Sequence, residues 1–172
     1  MEEKRPFEIE RKFLIEMPKE ADLLSMEGAF CDEILQTYLV SRGGLTHRVR
    51  RRAHGGEVGY TETKKTRLTD LSCIEEERQI GKEEYEALLR LADGALSPIE
   101  KKRYCIPYDG RLLEVDIYPF WQRSAVLEVE LPTEEAAFSL PPFIRVIREV
   151  SGEVAYKNLS LARRIPNEPE FL

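Results

Sequence analysis

The chain has 172 residues, with 26 Lys and Arg against 32 Asp and Glu, for a formal charge of −6. That length suits one domain spanning 1–172 with its own core, and the acidic balance argues against a broad nucleic-acid surface. No apolar run approaches the ~20 residues of a membrane span, and the opening MEEKRPFEIERKF lacks the apolar stretch of a secretory signal.

The expected elements are mostly strands. Residues 7–15, FEIERKFLI, alternate: Phe7, Ile9, Phe13 and Ile15 share one face with Arg11 as the exception, and Glu8, Glu10 and Lys12 share the other. A short helix over 18–27 and a strand over 33–40 follow. Gly43-Gly44 turns into a strand over 45–53, and His54-Gly55-Gly56 turns into another over 57–65. A strand over 73–80 precedes the clearest helix, 82–93, where Tyr85, Leu88, Leu89 and Ala92 form one stripe before Gly94. Strands at 99–106 and 111–118 flank a Pro-Tyr-Asp-Gly turn, and 125–131 is another. A short helix should start at Pro132, a last strand at 144–150 and a C-terminal helix at 151–164, with 166–172 as a frayed tail. Hairpin order favours antiparallel pairing, so the expected class is α+β, an antiparallel sheet or closed barrel with flanking helices.

Cys31, Cys73 and Cys105 show no C-x-x-C spacing, which points to reduced thiols in a cytoplasmic protein. His47 and His54 form no H-x-x-x-H pair, and there is neither a P-loop nor a G-x-G-x-x-G. What repeats is charge at i and i+2. Glu8, Glu10 and Lys12 are followed by Arg48 and Arg50, Glu62 and Lys64, Glu75 and Glu77, Lys101 and Arg103, Glu114 and Asp116, then Glu128 and Glu130. One such strand is most simply a solvated face. Repeated through the chain, the pattern implies a wide sheet that closes with its charged face inward. Unpaired interior charge is costly, so such a cavity must be wet and its charges paired or bound to ligands. Carboxylates there suit Mg²⁺ or Mn²⁺, and Arg and Lys suit phosphate oxygens.

Glu8-Ile9-Glu10-Arg11-Lys12 resembles the E-x-E-x-K signature of the CYTH family, the triphosphate tunnel metalloenzymes. The ordered sequel strengthens it: Tyr38, Arg48-x-Arg50, Lys64, Glu75-x-Glu77, Lys101-x-Arg103, Glu114-x-Asp116, Glu128-x-Glu130 and Tyr156-Lys157-Asn158. The resemblance implies an eight-stranded antiparallel barrel and hydrolysis of a triphosphate, inorganic tripolyphosphate foremost, with Mg²⁺ or Mn²⁺. It implies that Lys12, Arg48, Arg50, Lys64, Arg103 and Lys157 grip phosphate. Glu8, Glu10, Asp116, Glu128 and Glu130 would hold metal. A lysine among cations can be neutral near pH 7, which makes Lys101 the candidate base, with Glu77 or Glu10 as alternatives and Tyr38 orienting Lys101 or the water. Family members often carry Arg where Cys73 stands, so one phosphate contact is missing on this reading. The competing activities are a class IV-type adenylate cyclase, a thiamine triphosphatase and a non-catalytic polyphosphate-binding module. No membrane or nucleic-acid partner is expected, and a homodimer through a barrel flank is compatible with the residues.

Overall fold

The computed structural model describes residues 7–168. Eight strands follow the hairpin order expected: β1 (Phe7–Glu16), β2 (Phe30–Tyr38), β3 (Leu45–His54), β4 (Glu57–Arg67), β5 (Ser72–Ile80), β6 (Ile99–Tyr108), β7 (Arg111–Ile117) and β8 (Ser124–Glu130). Their spatial order is β5-β4-β3-β2-β6-β7-β8-β1, and β1 returns to β5, closing an antiparallel barrel. The closing seam is short: Phe7, Glu8 and Ile9 oppose Ile74, Cys73 and Ser72. A ninth strand, β9 (Val146–Glu149), covers the rest of that edge at Phe13, Leu14 and Ile15.

Both faces of the barrel wall carry apolar packing, but in different places. Outside, Ile9, Phe13, Ile15, Tyr104, Ile106, Leu113, Val115, Leu127 and Val129 are buried together. A short helix α1 (Glu20–Leu24) contributes Leu23 to this layer. A second helix, α2 (Lys82–Leu89), lays Tyr85 on β3 and β4, its ring 4.6 Å from that of Tyr60. The exceptional Arg11 stays on the outer face. Its guanidinium lies over the Phe13 and Phe138 rings and makes a bidentate pair with Glu149 of β9.

Inside, one end of the barrel is filled. Leu14, Tyr38, Tyr118 and Val126 pack there with Trp121, Tyr156, Leu161 and Ala162. The inner face of β1 therefore runs from acid (Glu8, Glu10) through Lys12 to fully buried Leu14. Polarity changes along the barrel axis, and only one end is left for a charged cavity.

Three sequence expectations are corrected. No helix starts at Pro132; the stretch 131–145 is irregular, and its Phe138, Leu140 and Phe143 pack on the outer core instead. The helix expected over 151–164 splits into a 3-10 turn (Val154–Tyr156) and a short α3 (Asn158–Arg163), because Lys157 is extended between them. That break lets Tyr156 enter the plug while the Asn158 carbonyl accepts the Tyr118 hydroxyl at 2.6 Å. The tail expected to fray is held as far as Glu168. Trp121 Nε1 donates to the Pro166 carbonyl at 3.2 Å, and the Arg123 amide donates to the Glu168 carboxylate. Residues 169–172 lie outside those described.

The plug predicts its own weak point. Leu14→Ala should cost about 2–5 kcal/mol in chemical denaturation, the range for a truncated core leucine that leaves a cavity. A loss below about 1 kcal/mol would mean that the plug collapses to fill the gap.

Candidate active site

The open end of the barrel holds a cavity of about 720 Å³. One wall is basic. Arg48 and Arg50 come from β3, and cross-strand register places Thr63 and Thr61 of β4 beside them. Period-2 alternation then turns Lys65, not Lys64, inward. Lys65 sits 3.2 Å from Glu8 and 3.3 Å from Glu75. Lys64 is exposed on the opposite face, which it shares with Glu62 and His47. Glu62 bonds His47 and Arg78 there. The inner position is thus Lys65, one residue beyond the expected Lys64, and both border the cavity. Tyr60 carried the signal, since its outward ring fixes 60, 62 and 64 as one face.

The cavity floor is saturated with ion pairs. Arg103 donates from Nε to Asp116 at 2.7 Å and from Nη2 to Asp116 and Glu128 at 2.8 and 3.1 Å, and Nη1 pairs with Glu114. Lys101 Nζ reaches Asp116 at 2.7 Å, and Lys12 Nζ reaches Glu128 at 3.2 Å. Asp116, expected among the metal ligands, is fully buried with both oxygens committed to these cations. Burial, then the neighbouring Arg103, pulls Lys101 down to about 7.

The basic wall is different. Arg48 is buried, its nearest carboxylate is Glu75 at 4.0 Å, and its Nε has no hydrogen-bond partner. Arg50 is buried too, and its Nε and Nη2 bond only the neutral side-chain carbonyl of Gln36, at 3.2 and 2.9 Å. Burial, with Arg48 and Arg103 nearby, lowers Arg50 to about 10. Two buried guanidiniums two residues apart, neither held tightly by a carboxylate, make a strong anion site.

Facing them is an acidic wall. Glu10 and Glu130 oppose each other across β1 and β8, with no ion-pair partner for either among the described residues. Opposed shifts on Glu8 and Glu75 describe one proton held between them. Burial and then Glu10 push Glu8 up to about 9, whereas the hydrogen bond from Glu8, with Lys65 and Arg48, outweighs burial and holds Glu75 at about 2. Glu77 accepts from the Thr63 hydroxyl at 3.1 Å. Among the described residues no three acid, histidine or cysteine side chains form a ready-made metal cage. The donor chemistry still fits a hard divalent cation. Mg²⁺ keeps several waters and needs only one or two carboxylates beside substrate phosphate.

The remaining expected residues stand back from the open cavity. Tyr38 is buried in the plug, and its hydroxyl accepts from Gln36 Nε2 at 2.8 Å. Lys157 is half-buried, and its ammonium is lowered by burial and then by Arg67. Arg52 continues the β3 row to the mouth, where it and His54 pair with buried Asp32. Gln36, Asp32 and Lys65 are the inner-face residues that sequence reading missed. Gln36 and Asp32 lie on β2, whose inner positions include the apolar Ile34, so charge alternation did not mark them.

No protein-family profile matches the chain. It is 34% identical over 164 residues to an inorganic triphosphatase of Nitrosomonas europaea, which spans 92% of this chain and 99% of that one. It is 36% identical over 109 residues to an inorganic triphosphatase of Acetivibrio thermocellus, over 62% and 67% of the two chains. The crystal structure of the inorganic triphosphatase NE1496 matches with a TM-score of 0.57 and 30% identity, over 92% of this chain and 96% of that one. The PH1012 protein of Pyrococcus horikoshii shares the fold at a TM-score of 0.55 and 19% identity, over 74% and 81%. With a closed antiparallel barrel, opposed basic and acidic walls and near full-length similarity to an inorganic triphosphatase, the chain belongs to the CYTH family of triphosphate tunnel metalloenzymes.

Proposed function

We propose that this chain hydrolyses a phosphoanhydride bond of a triphosphate, inorganic tripolyphosphate first, with Mg²⁺ or Mn²⁺. The observation that carries the reading is the pair of buried arginines on one wall of the cavity: Arg48 meets Glu75 only at 4.0 Å, and Arg50 bonds the neutral side chain of Gln36. A polyanion supplies what they lack. Lys65 adds a point charge beside them, taking the role expected of Lys64. Phosphoryl transfer rests on alignment and charge neutralisation rather than on covalent chemistry by the protein, and this wall provides both.

Glu8, Glu10 and Glu130 are the residues that would hold a divalent cation, with Glu128 behind them on Lys12 and Arg103. The cation supplies charge neutralisation on phosphate oxygens. Water oxygen bonds to the attacked phosphorus, the bridging P–O bond breaks and pyrophosphate leaves. Lys101 takes the water proton; its pKa of about 7 populates the neutral amine near neutral pH. Asp116 positions Lys101 and Arg103 rather than binding metal. Glu77 and Tyr38 are supports, Glu77 through Thr63 and Tyr38 through Gln36. Lys157 borders the same basic region through Arg67, Lys12 and Lys65. Among the described residues no helix is long and apolar enough to cross a membrane. The free thiols of Cys31, Cys73 and Cys105 suit a reducing cytoplasm.

Phosphate release from tripolyphosphate should require Mg²⁺ or Mn²⁺ and stop in EDTA. Lys101→Ala should lower kcat by about 10²–10⁴-fold, the range for loss of a proton acceptor. Arg48→Ala should mainly raise KM. Cyclic AMP from ATP, preference for thiamine triphosphate, or tight binding without turnover would each replace this substrate assignment.

The Glu8–Glu75 pair predicts a pH dependence in metal-free protein. Folded Glu8 keeps its proton up to about 9, whereas the unfolded chain releases it near 4.5. Folded protein binds more protons across that window, so this pair's contribution to stability falls as pH rises through it. Glu8→Gln should therefore gain stability relative to wild type from about pH 4.5 to about 9 in urea melts with EDTA. An unchanged difference across that range would refute the shared proton.

A further inference from the structure

Gln36 is fully buried inside a charged barrel yet carries no charge itself. Its side-chain carbonyl accepts two bonds from Arg50, 3.2 Å from Nε and 2.9 Å from Nη2. Its amide nitrogen donates to the Tyr38 hydroxyl at 2.8 Å. The guanidinium sets the amide orientation, since a flipped amide would aim its NH₂ at another donor. The bond to Tyr38 then anchors the amide from the plug side. Tyr38 is itself locked in the apolar plug. The orientation of Arg50 is therefore transmitted from the closed end of the barrel through one amide.

The neutrality of the partner is the telling feature. Arg103, on the floor, is held by Asp116, Glu114 and Glu128, which fix it and cancel its charge. A glutamate at position 36 would hold Arg50 just as firmly and cancel it in the same way. Glutamine holds the fork and adds no charge of its own, leaving Glu77 and Asp116 to act on Arg50 from farther away. We propose that Gln36 is a positioning residue that fixes Arg50 for bidentate capture of a substrate phosphate without neutralising it. This rests on the reading of the cavity as a triphosphate site. Charge-assisted bidentate contacts depend on planar alignment, so a guanidinium free to swing loses affinity and productive geometry.

The test uses the full-length protein, titrated with sodium tripolyphosphate in EDTA by calorimetry, and steady-state turnover with Mg²⁺. Gln36→Glu keeps the shape and adds one negative charge; Gln36→Leu removes both bonds. Each should raise the tripolyphosphate Kd about tenfold or more, as expected when a charge-assisted contact is cancelled or misaligned. Melting temperature guards against misfolding, and the isosteric Glu variant keeps the test open if the Leu variant is unstable. The decisive comparison is a double-mutant cycle with Arg50→Ala. Once Arg50 is gone, Gln36→Leu should change Kd by less than about twofold, because the two act as one unit. An undiminished effect in that background would make Gln36 merely structural, and wild-type affinity in Gln36→Glu would also overturn the proposal. If wild type binds no tripolyphosphate, or Arg50→Ala binds it unchanged, the triphosphate reading itself fails.

Discussion

The structure depends on one arrangement, the buried carboxylate of Asp116 shared by Lys101 and Arg103. A barrel that turns its charged face inward must solve a desolvation problem of roughly several kcal/mol per ion. Asp116 sits at the junction of the charged cavity and the apolar plug. With Glu114 and Glu128 it encloses Arg103, and Glu128 in turn holds Lys12. Lys12, Lys101 and Arg103 thus pair with three carboxylates in a floor across β1, β6, β7 and β8. Removing one member would strand the others, so this layer is structural first and chemical second.

Because the floor groups pair with one another, the less closely paired charge above them is concentrated on two walls. Arg48 and Arg50 have no such cage, and Glu10 and Glu130 face each other with no ion-pair partner for either among the described residues. A folded chain tolerates this only with water, shifted protonation or ligands. The proton shared by Glu8 and Glu75 is one such relief. On the proposed function, a polyanion on the basic wall and a divalent cation on the acidic wall would relieve the rest, each also screening the other.

Much of this was legible in the sequence because the charged positions repeat with period two. The inner faces of β1, β3, β5, β6, β7 and β8 all follow from that parity. It failed on β4, where the run Thr61-Glu62-Thr63-Lys64-Lys65 is polar on both faces and the phase rests on Tyr60 alone. Choosing Lys64 over Lys65 was a one-residue slip, and in a strand such a slip exchanges faces. Gln36 and Asp32 escaped for another reason. Their importance lies in partners on neighbouring strands, Arg50 for one and Arg52 with His54 for the other, and register is not written in either strand by itself. Likewise, the plug could not be read from Leu14, Tyr118 and Val126 separately. Each interrupts a charged face, and only closure shows that they meet.

The closing seam ties these threads together. Among the described residues β1 meets β5 through three residue pairs, and Glu8 is in the middle of them, opposite Cys73. The neighbouring Glu10 already faces Glu130 of β8. The acids that suit a cation thus sit where the barrel closes, and their mutual repulsion acts on its shortest pairing. Lys65 from β4 and the shared proton with Glu75 from β5 offset part of it. Any ligand that neutralises these carboxylates binds the closed barrel and not the open chain, so by mass action it stabilises closure as it binds. Cation affinity and barrel integrity are on this account a single linked quantity. The E-x-E-x-K segment lies on β1, the one strand that reaches both β8 and β5.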